Sequence, residues 1–363
     1  MKKHIHCVTV VCALLLLSLF TGLRRPDPNI NVLDQLTLEE KIAQLLILRV
    51  NSTDNEQYNK ELVELVARVQ PGGVCFFKGN PTPEAMLTKR LQAVSNVPLF
   101  VAIDGEWGPA MRLDSCVAFP RQMTLGALSE ENDSLIYQMG LEVAEQCKAV
   151  GINLNFAPCI DINNNSRNPV INSRSFGENR DKVVTKAALY LKGMQDGGIT
   201  GCIKHFPGHG DTKADTHFGY AQSLKTWDEM LSCEMTTFKA GIQWGCQLIM
   251  TAHIAAPRVI GSDIPSTMSS VILQDKLRGE LGYRNIIITD AMEMGAITQQ
   301  YTNAEAAVGT LLAGADIVLG PQNFVGAFDA VIKAVEDGTL TEERINQSVR
   351  RILKMKKQIK DNR

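Results

Sequence analysis

Short apolar runs, each closed by Gly, Pro, Asp or His, recur along the chain from residue 45 onward. After a first run near residues 45–50 they fall at 73–77, 99–104, 152–158, 201–205, 248–253, 286–290 and 315–319, eight in all. Near-continuous apolar strands of this kind are buried on both faces, as in a parallel sheet. Segments with helical periodicity separate most of them, for example 181–195 and 227–244. Eight strand–helix units over about 320 residues predict a single (β/α)8 barrel spanning residues 30–360. An open, doubly wound sheet is the alternative built from the same elements. Thr37-Leu38-Glu39-Glu40 reads as a capping box opening the first helix. Thr341 reads as the N-cap of the last one, whose stripe Ile345, Val349, Ile352 and Leu353 should pack on the barrel. No internal repeat, low-complexity tract or interdomain linker interrupts the pattern.

Composition narrows the class. Of 363 residues 45% are hydrophobic and 21% charged, which suits a globular chain with a large core. A formal charge of −2 gives no basic face for nucleic acid, and 6% aromatic residues give no stacking platform for single strands. The N-terminus differs: Lys2, Lys3 and His4 precede an apolar run over 5–20, which Arg24-Arg25-Pro26 ends. Residues 1–23 read as an export signal without a clear A-x-A cleavage site, or as an uncleaved anchor. The expectation is an exported protein, periplasmic or attached to the cell envelope, touching membrane only through that anchor. Oligomeric state is not legible. Seven cysteines follow the leader, an odd number without a C-x-x-C pair. They read as small buried hydrophobes.

Candidate chemistry collects where the predicted strands end, at Asp104, Lys204-His205, His253 and Asp290. Barrel active sites are built on that face. Asp290 is either the N-cap of the following helix or a carboxylate nucleophile. The stretch from Lys204 to His217 packs three histidines into a turn rich in Gly and Asp. Its Asp215 and His217 read as a surface Asx turn or as an acid/base dyad, the carboxylate orienting the imidazole. Gly208 and Gly210 would let that loop move over a substrate. Lys204 and His205 read as a satisfied core pair or as binders of ligand hydroxyls, His253 as a support behind the site, and His209 as a loop-shaping residue. His205, His209, His217 and His253 could also supply a metal-dependent barrel hydrolase. Lys204 would repel a dication there, and the spacing matches no compact ligand motif.

The run Lys204 to Thr212 (K-H-F-P-G-H-G-D-T), followed by Asp215-Thr216-His217, resembles the signature of family 3 glycoside hydrolases, in particular their β-N-acetylglucosaminidase branch. The segments 153–158, 168–177, 250–254 and 288–292 follow in family order, and the resemblance covers about residues 33–358. It implies a (β/α)8 barrel and a retaining exo-β-N-acetylglucosaminidase acting on oligosaccharides. It implies Asp290 as nucleophile, His217 as acid/base polarised by Asp215, and Asp104, Arg112, Arg174, Lys204 and His205 as binders of substrate hydroxyls. No metal or organic cofactor is required. Many glucoside-cleaving members take their acid/base from a second domain, so a donor within the barrel favours the N-acetylglucosaminidase branch. Two segments depart from the branch pattern. Residues 104–112 read D-G-E-W-G-P-A-M-R in place of D-Q-E-G-G-R, with Trp107 and Pro109 as the changes. Phe218-Gly219-Tyr220-Ala221 stands where Leu-Pro is common. A phosphorylase, a β-glucosidase or β-xylosidase, and a barrel that binds glycans without cleaving them are the rival readings.

Overall fold

The computed structural model describes residues 31–53, 55–212 and 221–361; the leader reading, like Asp215 and His217, lies outside them. Eight parallel strands form one sheet: β1 (Leu46–Val50), β2 (Gly73–Phe76), β3 (Phe100–Ile103), β4 (Leu154–Asn155), β5 (Thr200–Phe206), β6 (Leu248–Thr251), β7 (Ile286–Thr289) and β8 (Val318–Leu319). Each pairs with the next in sequence through β7, and β1 also pairs with β8. A parallel bridge between Ile288 and Ile317 closes the ring from β7 to β8. The sheet is therefore a barrel rather than an open one. Helical segments Glu56–Val69, Pro81–Ala93, Ser134–Ala149, Arg180–Asp196, Glu234–Gln243, Val271–Glu280, Asn303–Ala313 and Phe324–Glu336 follow the eight strands in turn.

Side-chain alternation divides the core. Cys75, Phe100, Ala102, Leu154, Cys202, Leu248, Met250, Ile286 and Ile288 belong to one buried cluster. Their strand neighbours Val74, Phe76, Val101, Ile103, Ile203, Ile249 and Ile287 belong to another, packed against helices. That is the period-two pattern of strands covered on both faces. The predicted caps form: Thr37 and Glu40 make a reciprocal capping box, and Thr341 Oγ1 accepts from Arg344 N at 3.1 Å. The segment predicted as one helix over 227–244 is two, Trp227–Ser232 and Glu234–Gln243, divided at the non-helical Cys233. The seven cysteines among the described residues are free and five are buried.

The floor of the barrel is pinned by one carboxylate. Asp316, just before β8, accepts from Arg278 Nη2 at 2.6 Å, Arg351 Nη1 at 2.8 Å, Ser348 Oγ at 2.6 Å and Ile287 N at 3.0 Å. Ser348 and Arg351 belong to the last helix, Glu342–Asp361. This charge cluster thus joins the β7–β8 seam to the C-terminal helix. No helix among the described residues is long and apolar enough to cross a membrane.

Candidate active site

The site is built from the loops at the C-terminal ends of the strands, beginning with two asparagines that stitch β3 to β4. Asn153 Oδ1 accepts from Val101 N at 2.9 Å, and its Nδ2 donates to Leu99 O at 3.1 Å. Asn155 does the same for Gly105, with contacts of 2.9 and 3.0 Å. Buried amides that satisfy backbone groups this fully fix the path of the loop after β3. That loop carries Asp104, Glu106 and Arg112.

Asp104 receives Arg112 Nη2 at 2.5 Å and Lys204 Nζ. Lys204 Nζ also reaches Glu106 Oε1 at 2.8 Å. Arg174, from a short 3-10 turn at Asn172–Arg174, donates Nη2 and Nε to the fully buried Glu106 at 2.6 and 3.0 Å. The same Nη2 lies 3.1 Å from His205 Nε2. A guanidinium only donates, so Nε2 accepts and His205 carries its proton on Nδ1. Nδ1 in turn donates to Asp161 Oδ2 at 2.7 Å. Asp161 is a hub, accepting also from the backbone N–H of His205 at 3.0 Å and of His209 at 2.7 Å.

Burial alone would raise each of these carboxyl pKa values, but the adjacent cations and hydrogen-bond donors outweigh it. Lys204 and then Arg112 hold Asp104 well below the usual carboxylate range. Arg174 and Lys204 depress Glu106. His205 and His209 bring Asp161 down to about 2. The cations respond in kind: despite burial, Asp104 and Glu106 raise Lys204, and Glu106 raises Arg174. The result is a preorganised lattice of ionised groups with little freedom to rearrange.

Asp290 follows β7 directly. Its backbone N–H donates to Thr251 O at 2.9 Å, and its Oδ1 accepts from Ala291 N at 2.7 Å. Burial opposes its ionisation, but His205, His253, the Ala291 N–H and Lys204 together lower its pKa. His253 lies behind it, with Nε2 3.1 Å from Ala291 O and Nδ1 2.9 Å from Thr267 Oγ1. It supports the Asp290 turn, as its place in the sequence predicts.

These groups share one open cavity of about 620 Å³ at the barrel mouth, lined among others by Asp104, Arg112, Arg174, Lys204, His205 and Asp290. All six sequence-predicted site residues among the described ones are thus brought together. Lys204 and His205 are neighbours in one strand, where alternation would send them to opposite faces. The β5–β6 register shifts between Lys204 and Phe206, and both residues line the cavity. Gly208 and Gly210, predicted to give mobility, are placed by close packing. Gly208 has φ +120°, with Glu234 Cγ 2.5 Å from where a Cβ would stand; at Gly210 a Cβ would lie 1.7 Å from Ile162 O. Sequence reasoning assigned no role to Glu106 or Asp161. Their signal was a carboxylate two or three positions beyond a strand-end motif, in loops expected to be exposed.

Cys159, Asp161 and His205 bring a thiol, a carboxylate and an imidazole within 4.8 Å of one another. The proton on His205 Nδ1 occupies the position a metal would need, and burial pushes the Cys159 thiol well up, away from thiolate. The donor set is therefore poorly suited to a dication.

The sequence profile described as the glycosyl hydrolase family 3 N terminal domain matches residues 37–355. The chain belongs to glycosyl hydrolase family 3. The family's barrel is the one seen here. A curated relative, β-hexosaminidase A of Pseudoalteromonas piscicida, is 34% identical over 82% of this family 3 chain and 55% of its own length. The chain therefore spans little more than half of that protein. A solved family 3 β-N-acetylglucosaminidase from Paenibacillus superposes with a TM-score of 0.82 at 36% identity, covering 90% of this chain and 63% of that one. The β-glucoside phosphorylase BglX, solved with bound 2FGlc, superposes at 0.85 with 27% identity, covering 90% and 60%.

Proposed function

We propose that this chain is a retaining exo-β-N-acetylglucosaminidase. The observation that carries the reading is Asp290, a carboxylate biased toward its charged form, opposite a lattice of fixed donors and acceptors in one cavity. It lines a cavity of about 620 Å³, a size common for small-ligand sites. In the proposed reaction Asp290 attacks the anomeric carbon, while His217, oriented by Asp215, protonates the departing glycosidic oxygen. The C–O bond to the leaving group breaks as the glycosyl–Asp290 ester forms. His217 then takes a proton from water, whose oxygen displaces the carboxylate and releases the sugar. Asp104, Arg112, Arg174, Lys204 and His205 hold the sugar hydroxyls. Because Asp104, Arg112, Arg174 and Lys204 are already ionised and paired, and His205 is fixed between Asp161 and Arg174, they need no reorganisation when charge develops on the ring.

The preference for an N-acetylated sugar rests on the 34% and 36% identical relatives, which are named for that activity. A second reading has its own support. The BglX likeness makes a phosphorylase the competitor, with phosphate in place of water at the second step. The deciding experiment measures nitrophenol release from the β-N-acetylglucosaminide and the β-glucoside, with and without phosphate. Preference for the acetamido sugar, with free sugar as product, supports the proposal. A preference for glucoside overturns the specificity, and formation of sugar 1-phosphate overturns the hydrolysis.

A further inference from the structure

The proposed reaction uses no cysteine, yet two of them meet where the loop after β3 crosses the outer helices. Leu113 in that loop bridges to Gly79, and Asp114 N donates to Gly79 O at 2.8 Å. The loop therefore passes over the start of the helix Pro81–Ala93. Val117 N then donates to Gln146 Oε1 at 3.1 Å. This bond joins the residue after Cys116 to the residue before Cys147, in the last turn of the helix Ser134–Ala149. Loop and helix thus bring the two thiols to one junction.

The junction is polar and poorly satisfied. Glu84 and Thr88, one turn apart on Pro81–Ala93, are buried. Neither Glu84 carboxylate oxygen nor Thr88 Oγ1 has a hydrogen-bond partner among the described residues. A Cβ on Gly151 would stand 2.8 Å from Thr88 Cγ2, so this helix face meets the chain just beyond Cys147. Burial first, and Glu84 second, push up both thiol pKa values, and Cys116 adds to the rise at Cys147. Disulfide exchange needs a thiolate, so the pair stays reduced until a reagent reaches it. Cys147 is fully buried, whereas Cys116 is half-buried between the exposed Ser115 and Val117. Ser115 has φ +65°, a left-handed conformation that is costly for a residue other than glycine. A shift of Cys116 toward the helix thus starts from a strained backbone. Other cysteines lack this combination. Cys202 and Cys246 influence one another but are both buried. Cys233 is half-buried, with no cysteine among the groups acting on it.

We infer that Cys116 and Cys147 form a thiol–disulfide pair that ties the β3 loop to the helix leading into β4. Cys116, as thiolate, attacks a small-molecule disulfide. The reagent's S–S bond breaks, a mixed disulfide forms on Cys116, and one half leaves and takes up a proton. The Cys147 sulfur then displaces the second half, which carries off the Cys147 proton. Two protein thiols have lost two electrons and two protons, and one external disulfide has become two thiols. The bridge holds the wall from which Asp104 and Arg112 face the cavity, whichever sugar occupies it.

The test incubates the folded full-length chain with oxidised glutathione, then maps its peptides by mass spectrometry without reductant. The expected product links the Cys116 peptide to the Cys147 peptide. The midpoint of thermal unfolding should rise by several degrees and return to its starting value with dithiothreitol. In Cys147→Ser, glutathione should stay attached to Cys116. In Cys116→Ser, Cys147 should remain unmodified, and neither variant should gain stability on oxidation. Cys233 is the internal control and should take up glutathione at most. A glutathione adduct that persists on Cys116 of the wild type would overturn the inference. So would a link from Cys116 to another cysteine, or a Cys116–Cys147 link that forms only in denaturant.

Discussion

At the scale of single residues, the charge state of Asp290 decides what the site can do. Its carboxyl is held below the ordinary Asp value of 3.8, so its ionised form is present above that pH and is lost as pH falls through the lowered value. In the free enzyme the acid limb of kcat/KM reports this group, and the limb should lie below about pH 4. An Asp290-dependent limb at pH 5 or above would contradict the electrostatics described. Asp290→Ala should lower turnover by on the order of 10⁴-fold or more, given how much a missing nucleophile costs; near-normal steady-state rates would remove it from that role. His217→Ala should slow natural glycosides far more than nitrophenyl ones, because nitrophenolate leaves with little protonation. Equal losses on both substrates would argue against an acid. Strand-end polar residues are legible in sequence because a charge closing an apolar run has few structural uses. The ion lattice is not, because no spacing rule reports that Lys204 lies between Asp104 and Glu106, which are a hundred residues away along the chain.

At the scale of elements, eight apolar runs were enough to foresee eight strands and the barrel. Their lengths were not: β4 and β8 shrink to two residues each, since the apolar runs continue into loops buried by the same core. The helix Pro81–Ala93 carries a feature that pattern reading treats as solvent-facing. Glu84 is buried, both of its carboxylate oxygens lack a hydrogen-bond partner among the described residues, and burial raises its pKa from 4.5 to about 8. The fold therefore holds it neutral. Its contribution to stability is intact below pH 4.5. Above that pH the unfolded chain ionises and stability is withdrawn, until the folded group also ionises near pH 8. Glu84→Gln should flatten this slope and stabilise the protein at pH 8 by on the order of 2–5 kcal/mol. Chemical denaturation at pH 5 and pH 8 checks it; identical pH slopes for the two proteins would refute it.

At the scale of the whole molecule, closure of the ring depends on one seam. The β7–β8 contact is short, and Asp316 reinforces it from below by binding Ile287 N together with Arg278, Arg351 and Ser348. Asp316→Ala would leave Arg278 buried without its counter-charge and should cost about 3–5 kcal/mol. A loss of unfolding free energy in denaturant titration of less than about 1 kcal/mol would show the cluster to be replaceable. The strand β8 also has β1 as its partner, through Leu46 with Val318 and Ile47 with Leu319. The barrel's first strand to leave the ribosome thus meets one of its two neighbours only when the barrel's last strand has been made. At about 5–20 residues per second that interval is roughly a quarter of a minute to a minute. Throughout it Leu46, Ile47 and Leu48 present an unpaired apolar edge to every other nascent chain nearby, so the time spent in synthesis is when this barrel is most open to aggregation.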